Sequence, residues 1–253
     1  MRKAATQTEY GAPSAIHTAE GGAVYVAPEG TPEGDGIYFF TRLGGVSEPP
    51  YDSLNVSKKV GDAPDAVDEN LSRIRTAMAG TPAAWVRQIA GDHVVSVSGP
   101  GLAGEADALV TAEAGLCLSV AVADCVPVAL VGESAVGMIH SGWRGTLAGV
   151  SGKTAHRLGG GRLQAYIGPS IRRCCYEVSP ELAARFAQQF GDDVVSGRNL
   201  ALQDCIRLDL ERAGVEVNDL GLCSGCRPDL FYSHRKQGPL TGRNLATVVR
   251  EAR

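Results

Sequence analysis

The stretch that decides the fold is LCLSVAVADCVPVALVGESAVGMIHSG, residues 116–142. It contains three short apolar runs, which are interrupted by Asp124-Cys125 and by a Gly-Glu-Ser turn at 132–134. Apolar runs of this length between turn residues are typical of strands that are buried on both faces of a sheet. The stretch therefore predicts three consecutive central strands.

The flanking sequence predicts further strands and helices around these three. Segments 36–45, 83–99 and 163–169 have strand patterns, and 83–99 reads as two strands joined by a turn at Gly91-Asp92. Helical patterns cover 64–80, 145–160, 179–191 and 199–214. We therefore predict a mixed α/β fold with one main core over residues 35–253. Residues 1–34 contain PEGTPEGDG and predict a flexible N-terminal segment or a loosely attached edge segment.

Composition and charge exclude several classes of function. The 253 residues are 44% hydrophobic, and their formal net charge of −4 does not predict a nucleic-acid-binding protein. No apolar run is long enough to span a membrane, and residues 1–14 lack the apolar core of a secretory signal. We expect a cytoplasmic protein whose seven cysteines are reduced.

The first candidate site combines Asp124, Cys125 and His140 at strand ends, where a sheet holds side chains rigidly. Thiolate and imidazole are preferred zinc ligands, and catalytic zinc has three protein ligands plus an open position. A buried core thiol and a hydrogen-bonded structural histidine are the alternative, because free cysteine is among the most buried residue types.

Two further segments have the chemistry of an anion site. HSGWRGT, residues 140–146, places Trp143 and Arg144 between glycines at a strand-to-helix turn, where backbone N–H groups and a guanidinium suit phosphate and the indole suits a flat ligand. FYSHRKQGPLTGRNL, residues 231–245, concentrates Arg235 and Arg243 among turn residues. A tight turn and a solvated loop are the alternatives for these two segments.

The remaining cysteine motifs are CCYEV at 174–178 and CSGC at 223–226. Adjacent cysteines rarely pair with each other, so burial of one and exposure of the other is favoured for Cys174 and Cys175. A CxxC motif is either redox-active or half of a zinc site, and only Cys174 or Cys175 is available to complete such a set. A structural role is favoured over catalysis for these thiols.

Six motifs in one order resemble the laccase-domain family, also called the YfiH type or multicopper polyphenol oxidase family. The resemblance covers about residues 36–249, and its several independent motifs make it specific. It implies a single α/β domain with layered mixed β-sheets flanked by helices. The motifs are FFTRLGGVSEPPYDSLNVSKKVGDAPDAVDEN (39–70), RQIAGDHVV (87–95), ADCVPVAL (123–130), HSGWRGTLAG (140–149), YIGPSIRRCCYEV (166–178) and CSGCRPDLFYSHRKQGPLTGRNL (223–245).

The resemblance also implies an enzyme of purine nucleoside chemistry. Expected reactions are phosphorolysis of adenosine, inosine and methylthioadenosine, and deamination of adenosine, in a monomer or small homo-oligomer without an organic cofactor. Zinc is the expected metal, copper is the alternative, and purine nucleosides and phosphate are the expected partners, with no membrane and no nucleic acid. The expected catalytic residues are Cys125, His140, Asp124 and Arg144, and the expected substrate-binding residues are Arg42, Gln88, Trp143, Arg235 and Arg243.

One position departs from the family pattern. The implied zinc ligands are Cys125, His140 and the histidine of a Q-[IV]-H-G motif, which here reads Gln88, Ile89, Ala90, Gly91. His93 lies three residues further on, but an odd offset across a turn makes it a poor replacement. With Ala90 in the third position, zinc affinity should fall steeply.

The departure leaves three hypotheses about function. The first is a purine nucleoside phosphorylase and deaminase impaired by Ala90. The second is an editing hydrolase of peptidoglycan precursors, a role also linked to this family, which predicts cleavage of a mis-incorporated UDP-muramyl amino acid. If the site holds no metal, Cys125 is a candidate nucleophile with His140 as base. The third is a non-catalytic purine-binding protein. A four-copper laccase is excluded because five histidines are too few for a blue-copper centre plus a trinuclear cluster, whereas weak single-copper oxidation is not excluded.

Overall fold

The computed structural model describes residues 14–31 and 35–250 as two mixed sheets packed face to face between helices. The strands are β1 (Ser14–Thr18), β2 (Val24–Pro28), β3 (Asp35–Phe40), β4 (Ala83–Arg87), β5 (Val94–Ser96), β6 (Gly101–Glu105), β7 (Ala108–Thr111), β8 (Cys117–Val122), β9 (Val126–Val131), β10 (Val136–Ser141), β11 (Gln164–Ile167), β12 (Val195–Ser196), β13 (Asn199–Leu200), β14 (Glu216–Asp219) and β15 (Asn244–Arg250). The helices are α1 (Pro64–Ala77), α2 (Trp143–Leu147), α3 (Val150–Leu158), α4 (Pro180–Phe190), α5 (Leu202–Arg212) and α6 (His234–Gln237).

The two large sheets divide the strands unevenly along the chain. The seven-stranded sheet has the order β1-β2-β3-β15-β8-β4-β6, and the six-stranded sheet has the order β14-β11-β9-β10-β7-β5. The apolar runs at 116–142 form β8, β9 and β10 as predicted, but β8 belongs to the first sheet and β9 and β10 to the second. The chain therefore crosses between the sheets at Ala123–Cys125.

Three apolar layers hold this arrangement together. Leu118 and Val120 of β8 face Ala129 of β9 and Met138 of β10 in the core between the sheets. The other face of the six-stranded sheet packs on helices α3, α4 and α5, and the other face of the seven-stranded sheet packs on α1. The resulting order, helix, sheet, sheet, helices, confirms the expected single domain of layered mixed sheets flanked by helices.

The predicted helices are present, with one correction. Helix α4 begins at Pro180 after Ser179, whose hydroxyl accepts a hydrogen bond from the Leu182 N–H as a helix N-cap does. The single helix predicted over 145–160 is instead two helices, α2 and α3, because Gly149 between them has a φ of +75°. Glycine adopts this left-handed conformation without strain, and it redirects the chain there.

The N-terminal segment lies at the edge of the seven-stranded sheet over the residues that the structure describes. Strands β1 and β2 form an antiparallel hairpin, and β2 pairs with β3 through Tyr25 and Val26. The hairpin is held because Val26 is fully buried in the core between the sheets. Residues 1–13 and 32–34, the rest of that segment, and 251–253 lie outside the described residues.

The second correction concerns the two strands predicted within 83–99. They are β4 and β5, but they do not form a hairpin: β4 pairs in parallel with β8 in one sheet, whereas β5 pairs in parallel with β7 in the other. The intervening residues, 88–93, are therefore a second crossing between the sheets. Both crossings meet at the same end of the molecule, and Ala90 lies in one of them and Cys125 in the other.

Candidate active site

The two crossings border a cavity of about 820 Å³. Its lining joins an apolar and aromatic wall to several cations and to the Cys125–His140 pair. A few polar groups converging in a largely apolar cleft are typical of small-molecule sites. The lining residues that carry this character are Trp85, Leu102, Trp143, Ile171, Tyr176, Lys58, Lys59, Arg87, Arg235, Arg243, Cys125, His140 and His234.

His140 is held at the end of β10 by a buried carboxylate. Its Nδ1 lies 2.8 Å from Oδ1 of Asp107, whose side chain is fully buried, and the His140 N–H donates to the Asp107 carbonyl at 2.7 Å. Cys125 lies close enough to the same imidazole to influence its charge. Because Asp107 occupies Nδ1, Nε2 is the ring nitrogen left for other partners. The site therefore contains a row of thiol, imidazole and carboxylate.

Charge around His140 changes its protonation. Burial alone would lower the pKa of the imidazole, but the Cys125 sulfur and the Asp107 carboxylate outweigh burial and raise the pKa to about 9. The Asp107 pKa is lowered, because hydrogen bonds from His140 and from the N–H groups of Gly91 and Ala90 outweigh the effect of burial. Without a metal, His140 is therefore a cation at neutral pH, with a proton on each nitrogen.

This protonation predicts how stability depends on pH. The pKa of His140 in the folded protein, about 9, lies above the ordinary histidine value of 6.5. Protonated His140 therefore contributes its full stabilisation of the fold below about pH 6.5, and this contribution is lost as the pH rises through about 9. We expect the free energy of unfolding of chelator-treated protein to fall over this range, and His140→Gln to flatten the fall. Urea unfolding at several pH values measures this pH dependence of the free energy of unfolding, and His156→Gln is the control. An unchanged slope in the His140 variant would contradict the assignment.

Asp107 also organises the crossing that carries Ala90. Its Oδ2 accepts hydrogen bonds from the N–H groups of Gly91 at 2.6 Å and Ile89 at 3.3 Å, and its Oδ1 accepts one from Ala90 at 3.0 Å. The backbone of residue 90 and the His140 ring thus share one carboxylate oxygen. Sequence analysis missed Asp107; the only signal was a single acidic residue directly before the apolar strand ALVT.

Ala90 adopts a conformation that favours other residues. Its φ of +57° is in the left-handed region, where alanine is disfavoured and asparagine, aspartate and histidine are enriched several-fold. His93, considered above as a replacement ligand, is exposed, and its Nδ1 lies 2.8 Å from the Glu105 carbonyl oxygen instead. The backbone at residue 90 is therefore suited to the histidine that the motif lacks.

The cavity does not present three metal ligands. Among the residues that the structure describes, the only group of three or more His, Cys, Asp or Glu side chains that is close enough to hold an ion is the set of Cys174, Cys175, Cys223 and Cys226. Cys125 and His140 line the cavity and supply two ligands. Ala90, whose N–H binds the Asp107 carboxylate behind His140, has no ligand side chain. The residues present therefore do not fit the expected His-Cys-His zinc centre, nor the His₂Cys set of a copper centre.

Asp124 has a positioning role in this structure. Its Oδ1 accepts a hydrogen bond from the Ser224 hydroxyl at 2.7 Å, and its Oδ2 accepts one from the Arg235 N–H at 2.6 Å in the first turn of α6. Both carboxylate oxygens are thus engaged with the walls of the cavity. Asp124 fixes α6 and the 223–226 loop beside Cys125.

The predicted substrate-binding residues fall into two groups. Gln88, Trp143, Arg235 and Arg243 line the cavity. Gln88 nevertheless exchanges two hydrogen bonds with the backbone of Ala121, at 2.8 and 3.0 Å, so that its amide extends the pairing of β4 with β8. Burial lowers the pKa of Arg243, and interactions with Cys125 and Asp124 offset this in part. Its Nη1 donates to the carbonyl groups of Thr241 and Gly242 at 2.9 Å, while the side chain lines the cavity, where it can meet an anionic substrate.

The structure does not bring Arg42 and Arg144 into the cavity lining. Arg42 is buried and donates to the carbonyl groups of Asp52 and Pro228, pairs with the Asp52 carboxylate at 3.0 Å, and lies over the Tyr232 ring. Its donors hold chain segments together instead of meeting phosphate. Arg144 is exposed and lies over the outside of Trp143, with its guanidinium carbon 4.2 Å from the ring centroid.

Several lining residues lie inside the quoted motifs but were not among the predicted site residues. Tyr176 and His234 belong to the motifs at 166–178 and 223–245, while Lys58 and Lys59 lie in a short 3-10 helix, Lys58–Val60, that closes one side. Arg235 lies over the Tyr176 ring at 5.2 Å and donates to the Glu177 carbonyl, so the two side chains form one wall. Only their meeting in the folded chain identifies them as part of the site.

Comparisons with known proteins agree with this architecture. A family model described as multi-copper polyphenol oxidoreductase laccase matches residues 36–251. A protein named purine nucleoside phosphorylase from Deinococcus radiodurans is 38% identical over 224 residues, covering 83% of this chain and 87% of that protein. The Escherichia coli protein named purine nucleoside phosphorylase YfiH is 33% identical, covering 86% and 94%.

Solved structures show the same fold. The crystal structure of YlmD from Geobacillus stearothermophilus superposes with a TM-score of 0.82 at 28% identity, covering 90% of this chain and 96% of that one. A Neisseria meningitidis protein superposes with a TM-score of 0.82 at 29% identity, covering 91% and 99%. With sequence, fold and motif order in agreement, this chain belongs to the multi-copper polyphenol oxidoreductase laccase family.

Proposed function

We propose that this chain binds purine nucleosides and phosphate in the 820 Å³ cavity and is a purine nucleoside phosphorylase whose turnover is impaired by Ala90. The observation that carries the proposal is the joining of an aromatic wall, Trp143 and Tyr176, to Arg235 and Arg243 around His140. Purine rings stack on aromatic side chains, and guanidinium groups bind phosphate in a fork geometry. Relatives named purine nucleoside phosphorylase support the same activity.

The chemistry follows from positioning and proton transfer. A phosphate oxygen attacks C1′ of the ribose, the new C–O bond replaces the C–N bond to the purine, and the leaving purine takes a proton. Arg243, which lines the cavity with Cys125, orients the phosphate and offsets its charge. His140 carries a proton on Nε2 at neutral pH and is our candidate donor to the purine. Adenosine, inosine and methylthioadenosine all present the leaving group that this mechanism requires.

Deamination of adenosine is the activity that we expect to be most impaired. It requires an activated water, and the usual activator is a metal held by three protein ligands. The cavity of this chain supplies two, so we derive no metal-dependent step for it. We therefore propose zinc-dependent activity only for a site that has histidine at position 90.

A cytoplasmic location is also proposed. Among the described residues, no helix has the length and apolar character needed to cross a bilayer.

The proposal predicts substrate dependence that a single assay measures. Purified protein incubated with inosine should release hypoxanthine only when phosphate is present, and ribose 1-phosphate should form in equal amount. Arg243→Met should raise the KM for phosphate by about 10-fold or more, because a charge-assisted hydrogen bond contributes roughly 1.5–3 kcal/mol. Arg157→Met, which removes an exposed arginine on α3, is the matched control. Base release without phosphate, or no nucleoside binding by calorimetry, would contradict the proposal.

One observation favours the editing hydrolase as a second candidate. Cys125, His140 and Asp107 are a thiol, an imidazole and an orienting carboxylate, the residue types that acyl-transfer enzymes combine around a nucleophile. This function predicts cleavage of a UDP-muramyl precursor that carries a mis-incorporated amino acid, with activity that survives complete chelation. Cys125→Ser should abolish such cleavage, and a phosphate requirement would be absent.

A further inference from the structure

A second cluster of reactive side chains lies outside the cavity. Strands β11 and β14 are parallel neighbours, and the turns that follow them leave the same edge of the sheet. One turn carries Cys174 and Cys175, and the other carries Cys223 and Cys226. An isolated bridge between Ser170 and Cys223 continues the pairing, so the two turns lie side by side.

The four sulfur atoms have the spacing of a tetrahedral metal site. All four Sγ atoms lie within 4.8 Å of one another; Cys174 is 3.4 Å from Cys226 and 3.5 Å from Cys223, and Cys175 is 3.5 Å from Cys226. Zinc–sulfur bonds of about 2.3 Å give sulfur–sulfur separations of roughly 3.8 Å in a tetrahedron. A disulfide needs about 2.05 Å. From the sequence we favoured burial of one and exposure of the other for the adjacent Cys174 and Cys175. In the structure, both side chains belong to this cluster.

The backbone around the cluster lets the two turns approach closely. A Cβ atom at Gly225 would fall 3.0 Å from both Cβ and Sγ of Cys175, so a side chain at position 225 would crowd the cluster. Cys223 is buried, whereas Cys174 and Cys226 are exposed.

We propose that Cys174, Cys175, Cys223 and Cys226 bind one structural Zn²⁺ as a tetrathiolate. Four thiolates fill the coordination sphere of zinc and leave no open position, so this site holds structure and does not perform catalysis. Its outer thiols, Cys174 and Cys226, are exposed, which gives the ion a path to the site. The ion would compensate the mutual repulsion of the four sulfurs.

The site would also support the wall of the cavity. Ser224, between two of the ligands, donates the 2.7 Å hydrogen bond to Asp124, and Tyr176, directly after Cys175, lines the cavity. A metal that joins the two turns therefore fixes two groups next to Cys125. The inference does not depend on the proposed phosphorolysis, because any ligand of the cavity would meet the same wall.

Zinc content by mass spectrometry of metals tests the proposal directly. The parent protein and Cys125→Ser should each retain one zinc per chain, whereas the Cys174→Ser/Cys226→Ser double variant should lose it. Cys205→Ala, which alters a buried thiol outside the cluster, is the matched control and should keep its zinc. Zinc that disappears in Cys125→Ser, or persists in the double variant, would overturn the assignment.

A second measurement covers the case in which the double variant does not fold. The parent protein, stripped of metal and reloaded with Co²⁺, should show the intense absorption of tetrahedral cobalt bound to four thiolates. The exposed thiols of the cluster, Cys174 and Cys226, should then resist thiol reagents until a chelator is added. A metal-free protein whose intact mass is two hydrogens lower would show a disulfide instead, and weak cobalt absorption would likewise reject the tetrathiolate site.

Discussion

Ala90→His is expected to bind one zinc ion more than the parent protein and to phosphorolyse purine nucleosides at least about 100-fold faster. Removing a residue that only hydrogen-bonds to a metal ligand lowers metal affinity or activity by about 10–100-fold. Removing the ligand itself should lower them further. The substitution completes a set that already contains Cys125 and an imidazole oriented by Asp107. Adenosine deamination should appear in the same variant.

The backbone at position 90 is prepared for this change. Its φ of +57° is disfavoured for alanine and is found several-fold more often in histidine. The N–H of residue 90 and the Nδ1 of His140 both hydrogen-bond to Oδ1 of Asp107. A side chain at position 90 therefore begins close to the existing ligand His140. The variant should therefore fold at least as well as the parent.

The control for this experiment is Ala90→Asn. Asparagine tolerates the same left-handed backbone but provides no imidazole. Zinc per chain and the rates of hypoxanthine and inosine formation are measured for the parent and both variants. If the histidine and asparagine variants bind equal zinc and turn over equally, the three-ligand centre is not the basis of activity, and the Cys125–His140–Asp107 row becomes the better account.

The central strands were predictable because their chemistry is local. The runs at 116–142 are too apolar and too short for anything but buried strands, and Cys125 and His140 lie at strand ends by sequence alone. Which sheet each strand joins is not local. Strands β4 and β5 read as a hairpin because a Gly-Asp turn follows alternating residues, yet the three N–H groups that bind Asp107 send the chain across to the other sheet.

The site residues could be predicted where the chain contains a family motif. They could not be predicted where their role depends on tertiary contacts. Arg42 and Arg243 cannot be told apart by residue type, but Asp52 and Pro228 engage the first, whereas the second lines the cavity. For the cysteine cluster, the sequence identified CSGC as half of a possible zinc site but not the complete set of four ligands. Its two pairs lie 49 residues apart between Cys174 and Cys223, and the parallel pairing of β11 with β14 brings them together.

Asp107→Asn is expected to lower the free energy of unfolding by about 3 kcal/mol, because removing one partner of a buried ionic pair commonly costs roughly 3–5 kcal/mol. The carboxylate accepts four hydrogen bonds, from three backbone N–H groups and from His140. An amide replaces one acceptor oxygen with a donor, which would face N–H groups and leave them unpaired in a buried site. The crossing that carries Ala90 should loosen first.

The same variant separates a positioning role from a purely structural one. Without the carboxylate, the pKa of His140 should fall below about 9, and the pH at which phosphorolysis declines should fall with it. The matched control is Asp62→Asn, which alters another buried carboxylate, bound to Ser47 and Asn55 near α1 and outside the cavity lining. It should lose stability but keep nucleoside turnover and its pH profile. Equal losses of turnover in the two variants, with unchanged pH profiles, would mean that Asp107 stabilises the fold without positioning His140.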